Sequence, residues 1–318
     1  MNAIDTVRHA SDQDLSRWTK RLGLLVVLAF LGFAAFYAVD RWRPAAPAII
    51  DQHVAALEQA LRDNPNDIVT RGRLADAYVE QHRYEDAVVQ YDVIIAAGVE
   101  LEPAHMGRAA AMLGLNRLDE AAADYQAVVD IAVTGEMANV DLTLEAAYYG
   151  LGSIALQQSR PADAIAFLEK ALAIKRSDAD AQYLLGKALL ANGETDDAIT
   201  VLRATVVFVP VGWADPYATL AEAYTAADDA AEAAWASAMA GLAAGDTGAE
   251  AGLLALTDGP AALDAAIGLG LLYETRGDNA DAVTWYERAL ALDPGNSAAR
   301  LGMSRVGPVA TGAVEGAN

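Results

Sequence analysis

The 318-residue chain contains no cysteine. Disulfides, thiol catalysis and thiolate metal sites are therefore excluded, while the redox compartment stays open, because a chain without cysteine suits either. Histidine is also scarce. The four are His9, His53, His82 and His105, and no two stand at the i, i+4 spacing by which one helix face holds a metal. His82, beside Arg83, reads as a turn residue rather than a ligand. No Gly-x-x-x-x-Gly-Lys-Ser/Thr loop is present to cradle phosphates, and no serine–histidine–aspartate signature marks a nucleophile. Positive charge is the other shortage: 22 Lys and Arg face 44 Asp and Glu, a net −22. Residues 1–43 hold six basic and four acidic residues, so the remainder has 16 against 40, or −24. A nucleic-acid binder needs a basic face, so no nucleic acid is expected as a partner. Neither enzymatic activity nor a cofactor is expected from this inventory.

One long apolar run is present. Residues 22–39, LGLLVVLAFLGFAAFYAV, carry no charge over 18 residues. At about 1.5 Å per residue a helix of that length reaches roughly 27 Å, close to a bilayer core. Trp18, Tyr37 and Trp42 lie near its ends, where amphipathic aromatics favour the membrane–water boundary. Arg8, Arg17, Lys20 and Arg21 precede it, and Arg41 and Arg43 follow. The positive-inside tendency then places residues 1–21 in the cytoplasm and the rest outside it. A cleaved signal peptide is the alternative, with Ala46-Pro47-Ala48 as the nearest small-x-small site.

The remainder is alanine-rich, which favours helix, and carries an internal repeat of about 34 residues. A leucine or other large residue is followed by a small one, then by a third position three residues on, usually large. An alanine comes nine residues later, and a large residue four beyond that. The six copies are Leu74-Ala75-Tyr78-Ala87-Tyr91, Arg108-Ala109-Met112-Ala121-Tyr125, Leu151-Gly152-Ala155-Ala164-Leu168, Leu185-Gly186-Leu189-Ala198-Leu202, Leu220-Ala221-Tyr224-Ala233-Ser237 and Leu269-Gly270-Tyr273-Ala282-Tyr286. The fifth departs from the rule, with Ser237 at the wedge position. Pro65, Pro210 and Pro294 stop second helices.

This pattern resembles the tetratricopeptide repeat. The resemblance implies an all-α, right-handed superhelix, an α-solenoid of about six helix-turn-helix repeats, here preceded by one transmembrane helix. The expected organisation is a cytoplasmic segment 1–21, the membrane helix 22–39, a linker 40–50 and a leading helix 51–67. The repeats follow at 68–101, 102–135, 145–178, 179–212, 214–247 and 263–296, then a capping helix 297–306 and a disordered tail 307–318. Residues 136–144 and 248–262 break the period and are expected to be loop drift, or else partner contacts.

In this family first helices line a concave groove that binds protein or peptide partners. Carried onto this chain, that surface takes in Asp76, Glu80, Met106, Tyr149, Leu156, Tyr183, Lys187, Glu222, Leu271 and Glu274. Tyr149 and Tyr183 are expected to form one aromatic patch, or to pack between helices. The basic clamp of chaperone-binding members is missing, since Lys187 alone is basic here, so an extended apolar or basic segment suits the groove better. An anchor followed by repeats is similar in layout to two kinds of bacterial envelope protein. One holds apocytochrome during c-type cytochrome maturation; the other accompanies the secretion translocon. The expected function is thus a membrane scaffold, with membrane contact through 22–39. The alternatives are a self-associating structural protein and the same scaffold facing the cytoplasm.

Overall fold

The computed structural model describes residues 49–208 and 212–307, and Phe33 alone before them. Phe33 apart, the expected cytoplasmic segment, membrane helix and most of the linker lie outside the described residues, as do Pro210 and the tail beyond 307. Among the described residues, no helix is long and apolar enough to cross a membrane. The chain divides into two compact units, 1–56 and 57–318. Of the first, little beyond the opening turns of α1 (Ile49–Asp63) is described. The second is all helical over its described residues.

Six helix pairs follow α1. They are α2 (Ile68–Glu80) with α3 (Tyr84–Ala97), α4 (Leu101–Gly114) with α5 (Leu118–Ala132), and α6 (Leu142–Gln157) with α7 (Pro161–Ile174). Next come α8 (Ala179–Ala191) with α9 (Thr195–Phe208) and α10 (Asp215–Ala226) with α11 (Ala230–Ala243). After the short helix α12 (Ala249–Leu254), α13 (Ala262–Arg276) pairs with α14 (Asn279–Leu292), and α15 (Ser297–Val306) ends the array. Asp67, Asp141, Asp178 and Asn296 start α2, α6, α8 and α15 by accepting backbone N–H bonds from the first turn.

The turn inside each pair is the same device six times. The chain passes through a left-handed residue at His82, Asn116, Ser159, Gly193, Asp228 and Gly277. The next backbone N–H then reaches back five residues, from Arg83 to the Tyr78 carbonyl (2.8 Å), Arg117 to Met112 (2.8 Å) and Arg160 to Ala155 (2.8 Å). Glu194 to Leu189, Asp229 to Tyr224 and Asp278 to Tyr273 complete the set at 2.9 Å each. This is the Schellman closure, which satisfies a carbonyl that the ending helix leaves unpaired. His82 is a turn residue of this kind, its Nδ1 lying 2.8 Å from the Tyr84 hydroxyl.

Packing explains the repeated small residues. A Cβ on Gly152 would sit 2.6 Å from Leu168, and one on Gly186 2.5 Å from Leu202. Ala87, Ala121, Ala164, Ala198 and Ala282 are fully buried on the opposing second helices. The wedge residues also reach the following element: Tyr91 covers Gly107, Tyr125 covers Gly150 and Tyr286 covers Gly302 on α15.

The two breaks in the period differ. Residues 136–144 make a 3₁₀ turn (Ala138–Val140) and leave Met137, Val140 and Leu142 exposed. Residues 248–262 do not behave as loop drift. They form α12, whose Leu253 is fully buried in one core with Leu220, Trp235, Met239 and Leu269. Helix α11 packs on α12, and α12 on α13, so the fifth and sixth pairs are joined largely through this insert.

Candidate functional site

Between α8 of the fourth pair and α10 of the fifth lies a cavity of about 470 Å³. Tyr183 and Lys187, one turn apart on α8, form one wall; Asp215, Ala218 and Glu222 on α10 form the other. The 3.6-residue period puts 183 and 187, and likewise 215, 218 and 222, on one face of each helix. Leu190 and Ala191 supply an apolar end. The Lys187 ammonium lies 5.5 Å from the Tyr183 ring centroid, within cation–π range. The aromatic partner of Tyr183 is Trp213, edge-on at 5.1 Å and 69°. Trp213 escaped the repeat reading because it lies in the connection between pairs. Its signal was a tryptophan set between a glycine and the start of a helix.

The remaining expected groove residues fall elsewhere. Met106 is half-buried on α4. Tyr149 and Leu156 pack half-buried against the core formed by Ala155, Leu185 and Leu189, and burial pushes the Tyr149 phenol up. Asp76 accepts a 2.5 Å bond from the Tyr91 hydroxyl, and Glu80 is exposed at the end of α2. Tyr183, Lys187 and Glu222 are thus the three that line one cavity.

Leu271 and Glu274 belong to a different surface. Leu271 lines a second cavity, of about 370 Å³, with Val206 and Arg203 of α9, Trp235 and Met239 of α11, and Leu301 of α15. Helices α9 and α11 are second helices, so the groove positions of the sixth pair do not continue the surface that holds Tyr183. Glu274 is committed to the array end. It accepts the Tyr286 hydroxyl (2.7 Å) and two bonds from Arg305 (2.5 and 2.8 Å), and the Arg305 guanidinium holds its carboxyl below the usual range.

Charge gathers beside this second cavity. Arg203 donates to the Tyr224 hydroxyl (2.6 Å) and to Asp264 of α13. Glu232 of α11 lies 3.6 Å from Arg203, with one carboxylate oxygen buried and unbonded. Burial first, and then the nearby Asp264 carboxylate, push Glu232 up to about 7. Among the described residues, no three His, Asp or Glu side chains converge as a metal site.

A more open hollow of about 640 Å³ adjoins the first cavity and shares Ala218 and Glu222 with it. Its other walls are Ala221, Thr225 and Ala226 of α10 and Ser237 and Ala240 of α11.

One model of the tetratricopeptide repeat matches residues 54–110 and 155–206, and a second model of that repeat matches 253–297. The chain is a tetratricopeptide repeat protein. The match from residue 253 takes in the buried end of α12, and that from residue 54 takes in α1. Among solved structures, the C-terminal part of a TPR repeat-containing protein from Cytophaga hutchinsonii is similar at 20% identity, with a TM-score of 0.53 over 80% of this chain and 94% of that one. YrrB, described as a TPR protein with an unusual peptide-binding site, is similar at 20% identity, with a TM-score of 0.51 over 63% of this chain and 97% of that one. Both likenesses concern the fold. No curated protein gives a significant match.

Proposed function

We propose that this tetratricopeptide repeat protein is a membrane-anchored scaffold that holds a polypeptide partner at the extracytoplasmic face and performs no chemistry of its own. Protein–protein interaction is the general business of the repeat. The anchor is supported by the uncharged run 22–39, and the orientation by four basic residues before it against two after it. An assembly or chaperone-like role follows from that layout by analogy, as in cytochrome maturation or secretion.

The observation that carries the reading is the cavity between α8 and α10, where Tyr183, Lys187 and Glu222 meet on the exposed side of the fourth and fifth pairs. It combines an aromatic face, an apolar end and charges of both signs, the mixture that binds a side chain and orients the backbone carrying it. A photo-crosslinking amino acid at position 183, used in the native membrane, tests this. The expected result is one dominant envelope polypeptide, with binding weakened about tenfold by Tyr183→Ala, in line with aromatic anchors elsewhere. Recovery of self-crosslinks only would favour the self-associating structural protein. Because the chain has no cysteine, Ser304→Cys introduces a unique thiol on the array. Labelling of intact cells by an impermeant maleimide that reaches the periplasm or cell exterior is expected. Labelling only after membrane rupture would overturn the orientation.

A further inference from the structure

The scarce cations of this chain are mostly taken up by carboxylates. Asp86 holds Arg83, Asp92 and Asp124 hold Arg108, and Asp264 holds Arg203. Glu250 holds Arg276, and Glu274 holds Arg305. The cavity between α8 and α10 departs from this pattern. Lys187 lines it from α8, and Asp215 and Glu222 line it from α10. All three are exposed, and none makes an ion pair among the described residues. Lys187 instead sets its ammonium 5.5 Å from the ring centroid of Tyr183, one helical turn back.

The face of a tyrosine ring is negative and attracts cations. Tyr183 is half-buried and braced by Trp213 at 5.1 Å and 69°. The cavity therefore brings together an aromatic face and two carboxylates that hold no cation. Leu190 and Ala191 add an apolar end that suits the methylene stem of a long side chain. Two carboxylates against one ammonium leave the walls with an excess of negative charge. The chain beyond residue 43 carries −24, so long-range attraction also favours a basic occupant.

We infer that the segment held in this cavity presents a lysine or arginine, which displaces Lys187 from the Tyr183 face and sets its charge against Asp215 and Glu222. Lys187 is the chain's own stand-in for the partner's cation, not a group that grips a carboxylate. The inference rests on the reading that this cavity holds a polypeptide partner, and it names the residue type the cavity selects.

The test pans a phage-displayed random dodecapeptide library on the full-length chain in detergent. Selected peptides are then measured on variants by fluorescence anisotropy. Peptides that lose binding on Tyr183→Ala are expected to share a Lys or Arg, and replacing that residue by glutamine should weaken them about as much. Asp215→Asn combined with Glu222→Gln should weaken them roughly fivefold and flatten their salt dependence. Lys187→Gln decides the sign. Removing the resident cation is expected to strengthen a basic peptide roughly threefold, whereas Lys187→Arg, which keeps a cation there, should stay within about twofold. Weaker or unchanged binding on Lys187→Gln would overturn the inference. Enriched peptides that are acidic or purely apolar, yet still need Tyr183, would also overturn it and leave the scaffold reading standing. A library that yields no enriched peptide would overturn both.

Discussion

A left-handed residue ends the first helix of all six pairs, yet two of the six, Gly193 and Gly277, are the glycines that adopt this conformation without a Cβ penalty. The left-handed region costs an L-residue roughly 1–2 kcal/mol, less for Asn and Asp. Ser159, at φ +56°, carries that cost without a compensating side-chain bond in its turn. Ser159→Gly should therefore stabilise the protein by about 0.5–1 kcal/mol, the glycine's greater unfolded-state freedom offsetting part of the relief. Urea denaturation would measure it, and a loss of stability would contradict the strain argument. The opposite holds where glycine is present for closeness. In Gly186→Ala the new methyl would meet Leu202 Cγ at 2.5 Å, where the branch point cannot swing aside as a chain end would. A loss of about 1–3 kcal/mol is expected from overpacking. The two cases differ in how legible they were. Gly186 could be read from the repeat spacing. The turn residues could not, because His, Asn, Ser, Gly, Asp and Gly share a backbone conformation and no side-chain chemistry.

Helix α12 extends the contrast to the elements. Its segment, GAEAGLLALTDGPAA, breaks the 34-residue period, and six helical residues are too few to establish a periodicity. Sequence reasoning therefore had only the period to go by, and an insertion into a solenoid defaults to the surface. What decides otherwise is Leu253, with no exposed surface, seated beside Trp235, Met239 and Leu269. Leu253→Ala should cost about 2–5 kcal/mol, as large-to-small changes in packed cores do. Leu254, beside it but 42% exposed, should tolerate the same change within about 0.5 kcal/mol. Similar effects at the two positions, followed by chemical denaturation, would show that the insert is peripheral. The same helix accounts for the split in the expected groove. With α12 between the fifth and sixth pairs, Leu271 faces α9 and α11, whereas Tyr183, Lys187 and Glu222 keep the regular spacing that projects them together.

Across the whole array, the join between the fourth, fifth and sixth pairs is also electrostatic. Arg203 comes from α9, Glu232 from α11 with Asp229 capping that helix, Tyr224 from α10 and Asp264 from α13. The two carboxyls beside one guanidinium leave Glu232 the weaker claimant, and burial raises it to about 7 against an ordinary 4.5. In the unfolded chain Glu232 ionises from about pH 4.5, while in the folded protein it keeps its proton until about pH 7. The folded state therefore binds more protons between these values, and its stability falls as pH rises through that window before levelling above pH 7. Glu232→Gln keeps the neutral shape at every pH. It should match the unmodified chain near pH 4.5 and exceed it at pH 8 by something on the order of 1–3 kcal/mol. The difference between the two proteins is the quantity to follow, because other carboxylates of so acidic a chain titrate in both. Thermal unfolding in overlapping buffers from pH 4.5 to 8.5 would measure it. A constant difference across the range would mean that Glu232 is ionised in the folded state throughout and that Arg203 serves both carboxylates equally. A difference that opens with rising pH would place a titrating junction where the fourth, fifth and sixth pairs meet.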